Sequence, residues 1–584
     1  MAVTDLASFQ EKRLNRASSE RKGRKFLRND TRQSKSPGSS SKNKAHVMIC
    51  LLLVEFCERF AFFGIVCNTI LFCTIKLGYQ NHQAATVNLC FIGASTLMPV
   101  FVGWFAESCM GRIKVVYICI FLHFIGTAML PVVAFPFEDF YLDTHHAAHT
   151  LAKREQNLLF YIGLLATSLG TGGIRAIICP LGAYSLQDRG QKELLSFFNW
   201  FYWLVNLNSL IVFLGIAYIQ QSVAKNLGFL IPFVSVIMAL ITIHMIRNEL
   251  IYQPRKGSSL FTAFGVFANA LRMCCVWHRH LGGQVSSWLD RAKENNGGCY
   301  SEAHVESTRS LVRLLPFFGF QVLYRTCVMQ IPSGYYIQTM NSNLNLEGFL
   351  LPIAAMNAIS IAPLLLLAPL LEGISASLLV TGRGRMVLSS YIIAGHICAS
   401  LSMLVAGCFE MLRKHFSVVE QTLSGKVLLV SSMPCYHLAP QYVLLGLAEA
   451  LVTPACSVIT FRFVPSRIRG ISMHFLTIFN GAGCFMGAFI VQAVHLISGG
   501  VWFPDVLAEG HLQGFFFFLA SLLVLNTLAF WRVSPRYNNL DEQTEQGVKG
   551  SLLEEKLLQH EKSLKFYDSI WESSSTFTPL DTAL

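Results

Sequence analysis

The sequence predicts an all-α membrane protein in which twelve transmembrane helices form two bundles of six. The 584-residue chain is 53% hydrophobic and only 14% charged, with a mean hydropathy of +0.47, whereas soluble domains average about 25% charged residues. Apolar runs of roughly 20 residues, the length that crosses a bilayer as one helix, recur along the chain. A polar segment at 247–308 divides these runs into two groups.

The apolar runs set the limits of the predicted helices. The first six are expected at 46–77, 84–106, 113–135, 156–186, 193–219 and 224–246. The last six are expected to begin near Ser310, Leu346, Met386, Tyr436, Ile471 and Phe515.

These helices predict five segments. They are a basic, disordered, cytosolic N-terminal tail (1–45), an N-terminal six-helix bundle (46–246), a cytosolic linker (247–308), a C-terminal six-helix bundle (309–532) and a cytosolic C-terminal tail (533–584). No signal peptide is expected, because residues 1–45 contain no apolar core. Loops predicted to be cytosolic are basic, as the positive-inside rule requires, so both termini are expected in the cytosol. The plasma membrane and the endolysosomal membrane remain open as locations.

Three charged residues interrupt the first apolar run. Glu55, Glu58 and Arg59 occupy positions i, i+3 and i+4, so they share one face of the helix. Each charge at the centre of a spanning helix costs about 2.5–3.5 kcal/mol on insertion scales, and it is retained where it meets a partner or a wet cavity. We interpret this face as a proton and substrate site, and a structural salt bridge between helices is the alternative.

A second intramembrane cation, Arg175, follows a glycine-rich stretch in the fourth helix. Small residues let helices approach closely, and the stretch lacks the Gly-Lys-Ser/Thr ending of a phosphate-binding loop. The two acids and two bases sum to neutrality. Arginine does not lose its proton in proteins, so a coupling proton must reside on a glutamate, and protonation would free an arginine to bind a substrate carboxylate.

Polar residues in other helices are candidates for contacts to the rest of a substrate. Asn206 in the fifth helix offers hydrogen bonds, and Asn357 is expected in the middle of the eighth. Glu449, an isolated acid in the tenth helix, suits a substrate ammonium group. Arg325 in the seventh helix supplies the alternative, a structural Arg325–Glu449 pair, and the sequence does not decide between the two.

The turn between the second and third helices is a candidate gate. Gly103 and Gly111 permit a tight turn, and Arg112 follows it. Glu107 is positioned to meet a helix N-terminus or a basic group of the other bundle, which would close the cytosolic face.

No metal, cofactor or enzymatic chemistry is predicted. His145, His146 and His149 lie in a loop without a further ligand, which is more typical of ordinary surface than of a metal site. The segment 274–280 contains cysteine and histidine, and a solvated membrane edge is favoured over metal or palmitate there. Protons are the only expected coupling species.

Taken together, these motifs resemble the proton-coupled oligopeptide transporters of the major facilitator superfamily, closest to solute carrier family 15. The similarity covers nearly all of the membrane region and includes Glu55-x-x-Glu58-Arg59, the glycines at 170–173 and the aromatic run before Asn206. The resemblance implies the major facilitator fold, alternating access and inward transport of di- and tripeptides, histidine or related solutes with protons. It also implies that Arg59 and Arg175 hold a substrate carboxylate, that Asn206, Asn357 and Glu449 hold the amino end, and that Glu55 and Glu58 couple the proton.

The sequence departs from the family pattern at several positions. The cation of the fourth helix is usually lysine and is Arg175 here. Phe62 and Phe63 replace two tyrosines, so two hydroxyl contacts are lost. The remaining departures are Leu89 in place of a histidine, Met329 in place of a gating acid, and Arg325 where an aromatic residue is common.

The sequence therefore predicts a monomeric symporter that couples protons to small zwitterionic solutes, either di- and tripeptides or amino-acid-like molecules. Its partners are the solute, protons and the lipid bilayer, with no nucleic acid. One alternative is a membrane scaffold or nutrient sensor that has lost transport. The other is a transporter of a different organic anion, favoured by the number of arginines.

Overall fold

The structure is a computed structural model that describes most of the membrane region. The described residues are 37–134, 153–185, 201, 203–223, 228–247, 259–277, 287–380, 384–464, 468–504 and 510–537. The predicted loop histidines at 145–149 and most of the predicted tails lie outside these residues.

The N-terminal bundle contains six helices. They are α1 (Pro37–Ile75), α2 (Asn81–Phe105), α3 (Arg112–Ala134), α4 (Lys153–Ser185), α5 (Trp203–Val223) and α6 (Leu230–Met245). Helix α1 begins at Pro37 and not at His46, so it includes the last residues of the segment predicted to be a disordered tail. Proline is suited to the first turn of a helix.

The C-terminal bundle contains the other six helices. They are α7 (Glu302–Val328), α8 (Ala355–Val380), α9 (Gly384–Lys414), α10 (Ala439–Arg462), α11 (Arg469–Ile497) and α12 (Leu512–Tyr537). Helix α7 continues through a wide helical turn, Ile331–Tyr335, into a short helix, Tyr336–Met340. Among the described residues, nine helices are long and apolar enough to cross a membrane. The remaining predicted spans correspond to α1, with its three charges, and to the shorter apolar segments Leu230–Met245 and Ala355–Leu367. The all-α membrane fold predicted from the sequence is confirmed.

Two small antiparallel hairpins lie at one end of the C-terminal bundle, which we call the hairpin end. Strand β1 (Asn345–Leu346) pairs with β2 (Phe349–Leu350), and β3 (Val418–Leu423) pairs with β4 (Lys426–Ser431). The turn of the first hairpin places Glu347 and Gly348 at φ values of 50° and 94°, in the left-handed region that a helix does not use. Helix α8 therefore begins at Ala355, nine residues after the predicted start at Leu346.

The two bundles are joined near the hairpin end. Ring stacking of His82 on His495, with centroids 3.6 Å apart, links α2 to α11. The side-chain amide of Gln221 bonds to the backbone at two points before α8, donating to the Leu351 carbonyl over 3.1 Å and accepting from the Ile353 N–H over 2.9 Å. Further hydrogen bonds between the bundles join Gln492 to Thr86, Tyr336 to the Cys67 carbonyl, and Asn88 to the Pro332 carbonyl.

A compact unit lies at the opposite end, which we call the linker end. The linker helix (Ser259–Trp277) packs on a short 3₁₀ turn, Trp288–Ala292, and on the start of α7. Asp290, buried within this unit, forms ion pairs with Lys293 and Arg309. Burial alone would raise the pKa of Asp290, but the bonds from Lys293 and Arg309 outweigh it and hold that pKa below its ordinary value.

We expect Asp290→Asn to loosen this unit, because it removes the charge that holds two cations. Hydrogen bonds to charged groups contribute roughly 1.5–3 kcal/mol, so amide hydrogen exchange of the linker helix at pH 7 should rise about tenfold or more. Since the folded-state pKa is lowered, the stabilisation is present above the ordinary value of 3.8 and is lost as pH falls through the folded-state value. Wild-type exchange, corrected for its intrinsic pH dependence, should approach that of the variant in acid.

The matched control is Glu294→Gln, a loss of the same charge at an exposed position two residues after the 3₁₀ turn. Equal protection in wild type and Asp290→Asn at pH 7 would show that the ion pairs do not hold the unit.

Candidate functional site

The charged face of α1 is buried inside the N-terminal bundle. The side chains of Glu55 and Glu58 are 1% and 0% exposed, whereas that of Arg59 is 21% exposed. Arg59 Nε donates to Glu55 Oε1 over 2.9 Å and lies 3.5 Å from Glu58 Oε2. The helical spacing thus produces the single polar patch expected from the sequence, directed at protein and not at lipid.

Arg175 reaches this patch from α4. Its Nε lies 3.1 Å from each oxygen of the Glu58 carboxylate, and its Nη2 lies 3.1 Å from Glu58 Oε1. The guanidinium also lies over the Phe62 ring, 4.1 Å from the ring centroid, in a cation–π contact. Phe62 stands where the family pattern has a tyrosine, so its ring face contacts the cation without offering a hydroxyl group.

Close helix packing fixes the position of α4, the helix that carries Arg175. A methyl group added to Gly170, Gly172 or Gly173 would overlap a neighbouring helix, so α4 lies nearly in backbone contact with α2 and α3. The nearest atoms are those of His123 for Gly170 at 2.4 Å, Met98 for Gly172 at 2.1 Å and Cys119 for Gly173 at 2.0 Å. The glycines predicted to permit close approach do so on both sides of α4.

The four charges form a neutral but uneven network. Glu58 is shared by two arginines, whereas Glu55 uses one oxygen and its buried Oε2 has no hydrogen-bond partner in the described residues. An anion with a desolvated, unpartnered oxygen is poorly stabilised. Glu58 is therefore the better stabilised anion, and Glu55 is the carboxyl group that gains more from a proton.

An interaction that sequence reasoning missed anchors α1 beside this network. Asn208 Nδ2 donates to the Phe56 carbonyl over 2.6 Å, joining α5 to the charged segment. Asn206, the residue singled out from the sequence, is buried two positions earlier on α5. Only the run of asparagines at 206 and 208 could have indicated this contact.

The C-terminal bundle contains a second intramembrane ion pair. Arg325 Nη1 of α7 lies 3.1 Å from Glu449 Oε1 of α10, and the two side chains are 24% and 29% exposed. Of the two alternatives left open by the sequence, the geometry therefore contains the Arg325–Glu449 pair. Gly483 of α11 lies against the stem of Arg325, where an added methyl group would be 2.6 Å from its Cβ.

Asn357 does not lie in the middle of a helix. It is the third residue of α8, because the preceding hairpin delays the helix start, and it is 3% exposed. Gly446 of α10 lies against Ser360 of α8, so these two residues are at the same depth along the bundle axis. With a rise of 1.5 Å per residue, Asn357 and Glu449 are separated by about 9 Å along the bundle axis, a span that a small solute could bridge.

The charged residues of the candidate gate, Glu107 and Arg112, pair with each other. A wide π-helical turn, Ala106–Met110, ends α2, and Gly111 follows at φ 86°. Glu107 forms a 2.8 Å ion pair with Arg112, the first residue of α3. The acid thus meets a helix N-terminus of its own bundle, and Gly103 packs against Ala176 of α4.

Two departures from the family pattern are buried in apolar surroundings. Leu89 is fully buried on α2 opposite Gly487 of α11, and Met329 is 6% exposed at the end of α7. Neither side chain can carry a coupling proton. No group of three histidine, cysteine, aspartate or glutamate side chains in the described residues is arranged to hold a metal.

Comparisons with known proteins agree with this architecture. The PTR2 family model, described as the POT family, matches residues 113–501. The chain is 62% identical over 546 residues to human solute carrier family 15 member 5, covering 94% of each chain. A solved auto-inhibited POT family peptide transporter is similar in fold, with a TM-score of 0.65 and 18% identity over 84% of this chain and 97% of that one. A POT family transporter solved in complex with 5-aminolevulinic acid has a TM-score of 0.60 and 15% identity, covering 84% and 96%.

The packing of α4 gives a direct stability prediction. Gly172→Ala should lower the midpoint of thermal unfolding, because its methyl group would sit 2.1 Å from Met98 Cβ and overpacking costs typically 1–3 kcal/mol. Gly319→Ala on α7 is the matched control, since nothing lies within 4 Å of its added methyl group. That variant should match wild type or gain up to about 1 kcal/mol. Equal midpoints for both variants would contradict the close packing of α2 and α4.

Proposed function

This chain belongs to the POT family, in the branch called solute carrier family 15, and we propose that it couples proton entry to the uptake of small zwitterionic solutes. Membership makes it a membrane transporter. The proposed solutes are di- and tripeptides or amino-acid-like molecules, which carry a carboxylate at one end and an ammonium at the other. Protons are the proposed coupling ion, and no other cofactor is invoked.

The observation that carries the proposal is the sharing of one carboxylate by two arginines. Glu58 accepts from Arg175 over 3.1 Å while Arg59 lies 3.5 Å away. Because the arginines stay charged, a proton arriving in this network must reside on Glu55 or Glu58. Protonation changes the network from neutral to a net charge of +1 and releases a guanidinium. A substrate carboxylate then restores neutrality with a bidentate contact.

The basic residues at the helix termini indicate how the chain is oriented in the membrane, and the orientation gives the proposed direction of transport. We assign the linker end to the cytosol, because Arg112, Lys114 and Arg469 lie at the helix termini of that end. The bundle contacts near the hairpin end then lie on the outer side. A proton moving inward through this network gains about 2.3 kcal/mol per 100 mV of membrane potential.

The amino end of a zwitterion would be held by the C-terminal bundle. Glu449 is the acid available for an ammonium group, and its 29% exposure makes it accessible. Binding there requires Glu449 to exchange Arg325 for the substrate. The solved POT family transporter bound to 5-aminolevulinic acid supports amino-acid-like solutes as a class, since that molecule carries both groups.

A second candidate function is transport of an organic anion without an amino group. The 3.1 Å Arg325–Glu449 contact favours it, because a glutamate already neutralised by arginine attracts an ammonium weakly. In that case Arg59 and Arg175 would bind the anion, and the C-terminal pair would serve only to join α7 to α10.

Glu58→Gln tests proton coupling. We expect solute uptake driven by an imposed pH gradient to be lost in vesicles containing the purified protein, since the amide leaves Glu55 as the only anion beside two arginines, which keep it ionised. Exchange of labelled for unlabelled solute should persist, because both arginines still bind the carboxylate. Glu420→Gln, which removes an exposed charge from β3, is the control and should retain gradient-driven uptake.

Gradient-driven uptake unchanged by Glu58→Gln would remove this residue from the proton path. A folded wild-type protein that moves no member of a solute panel of peptides, amino acids and organic anions would favour a scaffold or sensor.

Glu449→Gln and Arg325→Gln separate the two candidate functions. If Glu449 binds the ammonium, Glu449→Gln should weaken binding of zwitterions by about 10- to 150-fold, the equivalent of a charged hydrogen bond of 1.5–3 kcal/mol. Matched carboxylates without an amino group should be affected little. Arg325→Gln should raise the affinity for zwitterions, since it frees Glu449, whereas Arg325→Lys keeps the charge and should not. Equal losses for both solute classes would favour a purely structural pair.

A further inference from the structure

A long apolar groove runs along the outer surface of the C-terminal bundle between α9 and α12. Its volume is about 530 Å³, within the range of roughly 300–1,000 Å³ typical of small-molecule sites. Its walls are Ile393, Ile397, Leu401 and Leu404 of α9, and Val524, Leu528 and Trp531 of α12.

The packing of the two helices explains where the groove opens. Near the hairpin end, Gly407 of α9 lies so close to the Phe517 ring of α12 that an added methyl group would be 2.5 Å from it. Towards the linker end, Ile397 and Leu528 line the groove and are 55% and 51% exposed. The groove therefore ends near the Gly407–Phe517 contact and extends from there towards the linker end.

The groove suits hydrocarbon along its whole length. Its two hydroxyl groups are satisfied within their own helices, since Ser400 donates to the His396 carbonyl over 2.9 Å and Thr527 donates to the Leu523 carbonyl over 2.7 Å. The remaining polar group among the lining residues is the indole N–H of Trp531, at the end of the groove nearest the linker end. In a membrane-spanning bundle, this surface faces the acyl chains of the bilayer.

The open end of the groove is positively charged. Arg532 follows the groove residue Leu528 by four residues, so it lies one turn further along α12 and about 40° round the helix, and Arg536 lies one turn beyond it. Both arginines are exposed, and neither forms an ion pair with a described residue. Trp531, 63% exposed beside them, has the amphipathic ring that is enriched at the membrane–water interface.

From this arrangement we infer that the α9–α12 groove binds a phospholipid with an acidic headgroup, its acyl chain between the helices and its phosphate against Arg532 and Arg536. A zwitterionic phospholipid would place a choline or ethanolamine ammonium beside the same arginines and would bind less tightly. This site is separate from the central ion pairs, so lipid binding does not depend on the proposed transport cycle.

The test is native mass spectrometry of the purified full chain with phosphatidylglycerol or phosphatidylcholine of identical acyl chains. Each basic residue near a membrane surface contributes about fivefold to binding an acidic lipid, so Arg532→Gln/Arg536→Gln should reduce phosphatidylglycerol affinity by about 25-fold. Phosphatidylcholine binding should change little. Arg247→Gln/Arg272→Gln removes the same charge from exposed positions elsewhere at the linker end and should retain the preference.

Filling the groove tests the acyl-chain site. Leu401→Trp should lower the occupancy of both lipids, whereas Leu525→Trp, at a 63% exposed position outside the groove, should not. Equal retention of both lipids by wild type, or a preference unchanged by the double arginine substitution, would overturn the assignment. A dimer that Leu401→Trp abolishes would overturn it too, because the groove would then receive a second copy of the chain.

Discussion

Charges buried within membrane helices must be neutralised by partners from neighbouring helices, and this requirement organises the N-terminal bundle. A carboxylate on α1 at the depth of Glu58 would be strongly destabilising without Arg59 and Arg175. Arg175 comes from α4, and three glycines just before it bring α4 nearly into direct contact with α2 and α3. Asn208 then holds the α1 backbone from a third direction. The position of α4 is therefore set both by its ion pair with α1 and by its packing on α2 and α3.

The two bundles neutralise their buried charges in different ways. The N-terminal network has four members, so one proton releases one arginine while the remaining carboxylate still lies close to an arginine. The C-terminal pair of Arg325 and Glu449 has two members, and protonating its acid would leave an arginine without its partner. A shared network can pass through several protonation states at modest cost, whereas an isolated pair has one favoured state. This asymmetry explains why we place proton coupling in the first bundle and solute selectivity in the second.

Much of the fold and part of the site could be predicted from the sequence. Residue spacing alone places Glu55, Glu58 and Arg59 on one face, and intramembrane charge limits the partners to a few residues. The start of α8 could not be predicted, because it depends on a hairpin whose turn places Glu347 at φ 50°. The choice between a free and a paired Glu449 depends on the relative position of α7 and α10, which no local pattern contains. Likewise, the buried network of Gln338, Glu410 and Arg413 joins segments far apart in sequence.

The bond between α5 and the segment before α8 has a consequence for how this molecule can vary. The side-chain amide of Gln221 forms its two hydrogen bonds with main-chain atoms, the Leu351 oxygen and the Ile353 nitrogen. These two hydrogen bonds therefore do not depend on the identity of the side chains at 351 and 353, except that a proline at 353 would remove the donor. Of the contacts that join the bundles at the hairpin end, this one depends on a single side-chain amide, so one substitution at Gln221 would remove both of its hydrogen bonds.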